Sequence, residues 1–272
     1  MNQEIISPLE WQANKNAPRR WQNYWTWLSI PLALALFLAV WQAIIALNQY
    51  PEFLLPSPGA VLNSLIENWQ NGILPRHLSI SLFQVGIGFS IAFGFASVSG
   101  YALAKSPLVE KIISPYLVAS QAVPLVALGP LIIIWIGTGI WQNALVAALV
   151  AFFPMLVNTL IGIRGIRDEY RQVMHSYSAS RWQVLTKLEI PAALPIFLGG
   201  VRVGITLSVV GVTVVELLWA DRGLGFLLNF SRGNLNTPLV FATVVVLAAM
   251  ALVLYGLVVV IEKISIPNRR EK

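Results

Sequence analysis

Six stretches of this chain are too long and too apolar for a water-facing fold. Residues 28–47 carry no charge, and comparable runs follow at 79–103, 115–136, 140–163, 192–218 and 238–261. About 20 apolar residues in a helix cross the hydrocarbon core of a bilayer. Within lipid, every backbone amide and carbonyl must find its partner inside the structure, which leaves helices for runs of this composition. The expected fold is all-α, a polytopic membrane protein with six transmembrane helices. Charged residues are 11% of the chain, against about 25% in soluble domains. The domain reading is a tail over 1–27, a six-span domain over 28–261 with a polar loop at 164–191, and a second tail over 262–272.

That loop, RGIRDEYRQVMHSYSASRWQVLTKLEIP, holds five of the eighteen Lys and Arg residues. Tyr170, Val173, Met174 and Tyr177 recur at helical spacing and are predicted to share one face. Ser178, Ala179 and Ser180 then interrupt the helix, and Ser180 with Gln183 three residues on has capping-box spacing for a second one. The pattern allows two readings. Either the apolar face docks against something outside the bilayer, or it folds back onto its own membrane domain.

These residues carry a resemblance. The loop resembles the E-A-A-x3-G-x9-I-x-L-P segment of the inner-membrane permeases of binding-protein-dependent ABC importers. On this chain the segment ends at Leu188, Ile190 and Pro191, its Gly falls on Ser178, and its opening falls on Gln172, Val173 and Met174. Only Gly takes a left-handed turn without a steric penalty, so Ser at that place is a departure with a physical meaning. Leu55, Pro56, Ser57 and Pro58 match an L-P-S-P element that such permeases carry before a short external helix. The resemblance spans about 53–263 and is strongest in PYLVASQAVPLVALGP, in FFPMLVNTLIGIRGI and over 178–195. It points to the nitrate, sulfonate, taurine and bicarbonate permeases, near branches that take up pyrimidines or riboflavin.

The resemblance implies a type I importer permease in a bacterial inner membrane, forming the path for a small polar or anionic solute. Its implied partners are a second permease copy in a homodimer, two cytoplasmic ATPase subunits, an external solute-binding protein and lipid. ATP and Mg would be bound by the ATPase subunits, with no cofactor in this chain. The residues implied to couple to the ATPase are Tyr170, Val173, Met174, Tyr177, Ser178, Ala179 and Pro191.

Charges inside a span are costly and usually face protein or water. Arg202 and Glu216 are two such residues. Glu216 either touches the solute or tethers the loop WADRGLGFLLNFSRG. Arg202 either lines the path or pairs with polar groups between subunits. Ser120 and Gln121 in the third stretch, Gln142 and Asn143 in the fourth, and Asn158 further along it are polar groups that lipid does not accept unpaired. Each reads as a pathway residue or as a helix–helix hydrogen bonder. Gly200 and Gly204 form a G-x-x-x-G pair, expected to bring two permease copies together.

Enzymatic motifs are missing from the sequence. It has no G-x-x-x-x-G-K-[ST] phosphate loop and no G-x-S-x-G elbow. The chain has no Cys, and its two His, His77 and His175, fall in loops expected on opposite sides of the membrane. Its basic residues form no continuous face, which argues against nucleic acid. The polar first 27 residues argue against a cleaved leader. A channel would need a filter and a proton-coupled carrier a buried relay; neither pattern is evident. Those classes, and a passive scaffold, rank behind the ABC reading.

Orientation follows from the cations, because cytoplasmic loops retain Lys and Arg. With both termini inside, fourteen cations fall on the cytoplasmic side and three, Arg76, Arg222 and Arg232, outside, with Arg202 in a span. A single Cys at Asn63 should therefore react with a membrane-impermeant maleimide on intact cells, and one at His175 only after permeabilisation. Equal labelling from outside would overturn this orientation.

Overall fold

The computed structural model describes residues 20–122 and 128–266. The chain divides into two compact units, Met1–Val61 and Leu62–Lys272. The first holds helix α1 (Arg20–Asn48) and the beginning of α2 (Pro58–Gln70). Helix α1 is long and apolar enough to cross a membrane over Pro31–Asn48, and its Asn48 side chain donates to the Ile44 carbonyl at 2.9 Å. At the start of α2, the Ser57 hydroxyl accepts from the Ala60 amide at 3.1 Å. This satisfies one of the four amides that a helix start leaves open.

The second unit is a helical bundle. Its long members are α3 (Ile73–Lys105), α6 (Ile140–Arg164), α8 (Arg181–Trp219) and α10 (Thr237–Ser265). Shorter helices join them: α4 (Pro107–Ala122), α5 (Gly129–Ile136), α7 (Asp168–Ser176) and α9 (Leu224–Gly233). With α1, five helices among the described residues are long and apolar enough to cross a membrane.

The third predicted span is the exception. Its described residues fall in α4 and α5, of 16 and 8 residues, on either side of 123–127. Pro130 stands in the first turn of α5, where a missing amide costs nothing. Pro124, with residues 123–127, lies outside the described residues, as do the side chains of Ser120 and Gln121 and the tail residues before Arg20. The second helix expected inside the polar loop is also different. It runs on without a break into the fifth span, making α8 39 residues long. At about 1.5 Å per residue that is close to 58 Å, well beyond the roughly 30 Å hydrocarbon core.

Lipid tails are as apolar as Leu, so helices in a membrane associate through close packing rather than through escape from water. Helix α6 supplies the seam. It packs against α3 on one side and α8 on the other, burying Ala144, Ala147, Ala151, Met155 and Leu156. The partner helices meet it with glycine. A Cβ on Gly88 of α3 would lie 2.6 Å from the Ala144 carbonyl oxygen, and one on Gly204 of α8 would lie 2.6 Å from the Met155 sulfur. Gly200 sits equally close to Asn158. The G-x-x-x-G pair expected between two copies thus closes a contact inside one chain.

Gly86 and Gly94 on α3 have nothing within 4 Å of such a Cβ. Gly88→Val and Gly204→Val should each destabilise the bundle by about 2 kcal/mol, since overfilled contacts force backbone shifts. Gly86→Ala and Gly94→Ala should be neutral or slightly stabilising. Melting in mild detergent would check this, and equal losses in both pairs would refute the seam.

Candidate functional site

Helix α7 ends through a tight backbone motif. The Ser178 amide donates to the His175 carbonyl at 2.9 Å, and the Ala179 amide reaches back to the Met174 carbonyl at 3.0 Å. These two bonds define a Schellman ending with Ser178 as its left-handed residue, and Ser178 has φ 53°. Helix α8 starts three residues later, at Arg181. The Ser180 hydroxyl accepts from the Gln183 amide at 3.3 Å, and the Gln183 side chain accepts from the Ser180 amide at 2.8 Å. The capping box is complete.

The apolar residues of α7 do not all face one way. Tyr170 and Val173 are exposed, and Tyr177 is 83% exposed. Met174 and Ala179 are half-buried, as is Arg171 three residues before Met174. The outward surface is therefore Tyr170, Val173 and Tyr177, joined by the exposed Trp182 at the start of α8.

Glu189 holds α7 to the bundle. It is 1% exposed and forms an ion pair with Lys105 at the end of α3. The Tyr101 hydroxyl donates to it at 3.0 Å, and the Arg171 guanidinium stands 3.7 Å away. Arg171 also donates to the Ile163 carbonyl near the end of α6 at 2.8 Å. Close by, Arg164 pairs with Glu110 of α4. A buried carboxylate needs partners of this kind, because an isolated one would be far too costly to desolvate. Around Glu189 the helix widens into a π turn over Leu185–Glu189, where the Ile190 amide bonds to the Leu185 carbonyl. Pro191 explains the widening: it has no amide to give the Lys187 carbonyl, and its ring crowds that oxygen.

At the other end of α8, Glu216 is also 1% exposed. The Ser81 hydroxyl lies 2.7 and 2.8 Å from its two oxygens, and the Gly225 amide donates to it at 2.9 Å. Ser81 in turn accepts from the Leu224 amide at 2.8 Å, and His77 Nδ1 accepts from the Gly223 amide at 3.1 Å. Three successive amides at the start of α9 are thus met by side chains, with a carboxylate at a helix N-terminus where the dipole favours it. Gly223 has φ 102°, and a Cβ there would collide with the Glu216 carboxylate. Glu216 ties the loop down.

Gln142 and Ser208 are buried, with no hydrogen-bond partner for Gln142 Nε2 or Ser208 Oγ among the described residues, whereas Arg202, Asn158 and Asn143 have partners within the chain. Arg202 lies 3.2 Å from Glu262 on α10. The Asn158 amide donates back to the Pro154 carbonyl at 2.8 Å. The Asn143 amide donates to Gln84 on α3 at 3.0 Å. This last pair borders a cavity of about 560 Å³ at the Glu216 end of the bundle, with Trp141, Trp219, Asp221 and Arg222 among its walls. Arg222 grips Asp221 with two hydrogen bonds, at 2.9 and 2.8 Å, which hold the Asp221 carboxyl below its usual range.

The described residues thus hold five helices long and apolar enough to cross a membrane, with the short helix α7 tied to the bundle through Arg171. Residues 86–268 match the family described as the binding-protein-dependent transport system inner membrane component, and the chain belongs to that family. It is a permease subunit of an ABC importer, not an enzyme, and its family works with ATPase and binding-protein partners. It is 40% identical over 242 residues to the riboflavin transport system permease protein RibX of Chloroflexus aurantiacus, covering 89% of this chain and 90% of that one. It is 32% identical over 226 residues to the taurine transport system permease protein TauC of Escherichia coli, covering 81% and 82%. The fold is shared with a chain of the inward-facing MetNI methionine ABC transporter, with TM-score 0.60 at 15% identity, covering 71% of this chain and 95% of that one.

Glu189 was not singled out from sequence. The available signal was a lone carboxylate beside Pro191 at the mouth of an apolar span, with Lys105 and Arg171 free to reach it. Ser178→Gly should relieve about 1 kcal/mol of left-handed strain, slowing amide exchange at 177–179 about fivefold. Unchanged exchange there would mean that the turn carries no strain.

Proposed function

We propose that this permease imports a neutral, planar nitrogen heterocycle of the riboflavin type, working as a homodimer with two ATPase subunits and an external binding protein. The 40% identity to the riboflavin permease, against 32% to the taurine permease, supports the choice of solute. Helix α7 would dock in an ATPase groove through Tyr170, Val173 and Tyr177, with Trp182 beside them. The observation that carries this docking is an exposed aromatic surface on a helix fixed to three long helices through Arg171 and Glu189. Exposed aromatics of this kind serve as anchors in interfaces. Both termini would then be cytoplasmic in a bacterial inner membrane, with ATP and Mg held by the partner subunits. ATP would act by binding one conformational state better than another.

Tyr177→Ala and Val173→Asp should leave membrane insertion intact. Each should weaken ATPase association about 30-fold, as loss of an interface anchor does. Co-purification and proteoliposome uptake of riboflavin and of taurine would measure both parts. Normal association in both variants would remove helix α7 as the docking surface. Taurine uptake without riboflavin uptake would overturn the solute assignment.

A further inference from the structure

The cavity beside Gln84 and Asn143 has a chemistry of its own. Gln84 is 1% exposed and Asn143 2% exposed, so neither amide can rely on bulk water. Their mutual bond at 3.0 Å uses one donor and one acceptor. Each primary amide carries two N–H donors and a carbonyl, so the NH₂ group of one, the carbonyl of the other and that residue's second N–H are left without a partner among the described residues. Exchanging the oxygen and nitrogen positions of both side chains reverses the bond but leaves the same complement. The cavity therefore offers a fixed donor–acceptor pair whichever way the amides are turned.

The walls favour a flat, uncharged ring. Trp141 stands exposed at the mouth. Trp219 is held in place, since a Cβ on Gly129 would strike its ring, and it packs against the buried Ile132, Val146 and Val215. Asp221 and Arg222 neutralise each other through their paired hydrogen bonds. About 560 Å³ lies within the usual range for small-molecule sites. An oxyanion such as a sulfonate or nitrate would meet a free carbonyl oxygen and no uncommitted cation.

We infer that this cavity is a solute-binding subsite of the permease itself, recognising a neutral aromatic ring through an edge with adjacent C=O and N–H, as in a lactam or imide. The amide pair reads that edge, and the two indoles hold the ring faces. The inference rests on the heterocycle reading above and adds a contact within the membrane subunit.

The test uses the full chain with its ATPase subunits in lipid nanodiscs, without binding protein, and follows flavin fluorescence anisotropy. Lumiflavin, which has a free imide N–H, should bind. Its 3-methyl derivative, which lacks that donor, should bind at least tenfold more weakly to the unaltered protein. Taurine should not displace lumiflavin. Gln84→Met with Asn143→Leu replaces both amides by apolar groups of similar shape, a change that buried sites tolerate when both partners go together. It should weaken lumiflavin about 30-fold, the loss of two hydrogen bonds. Trp141→Ala, at an exposed position, should weaken it about fivefold. Equal binding of the two flavins, displacement by taurine, or unchanged binding by the variants overturns the subsite. Riboflavin uptake by the complete transporter alongside any of these results leaves the heterocycle reading standing. Uptake of taurine alone defeats that reading by a separate measurement.

Discussion

Helix α8 carries a buried carboxylate near each end, and much of the arrangement depends on satisfying the two. Glu189 gathers Lys105, Tyr101 and Arg171, while Glu216 gathers Ser81 and the first amides of α9. Twenty-seven residues separate them, about 40 Å of helix. One lies beside the helix that meets the ATPase in our reading, and the other lies near the solute cavity. Neither carboxylate is tolerable without its partners, so the elements around both ends are held to a single rod.

Between those ends the rod is held by fit. Gly200, Gly204 and Gly211 of α8 lie against Asn158, Met155 and Ala147 of α6, while Gly88 and Gly100 of α3 lie against Ala147 and Thr159 on that same helix. Polar anchors at the ends and small residues along the length divide the work. The ends fix register, and the seam fixes distance. In lipid neither could be replaced by a larger apolar surface, because such a surface is equally well solvated by the surrounding chains.

The membrane fold was legible because hydropathy and charge distribution are nearly one-dimensional signals. The boundaries of α6 and α10 fall within a few residues of the apolar runs. The third run, 115–136, falls in α4 and α5 on either side of residues 123–127, which lie outside the described residues. The loop was read correctly as containing a helix and a capping box, since Ser180 and Gln183 form that structure through local bonds. Its facing was harder: Met174 has the spacing of Tyr170 and Val173 yet turns inward with Arg171. Glu189 escaped notice because its partners come from residues 84 and 88 positions away as well as from the loop. The G-x-x-x-G pair announced a close contact, but sequence does not say whether the other helix belongs to the same chain.

The joint between α7 and α8 leaves no loose chain. Ser178 and Ala179 give their amides to the helix behind them, and Ser180 gives its amide to the helix ahead. Every backbone donor in the connection is committed, so it is an elbow of fixed angle and not a tether. A sideways load on α7 reaches α8 as torque, with no slack segment to absorb it. Beyond the elbow lies the π turn, whose last residue is the clamped Glu189. About two turns of helix thus separate the elbow from the carboxylate that ties α8 to α3 and α7.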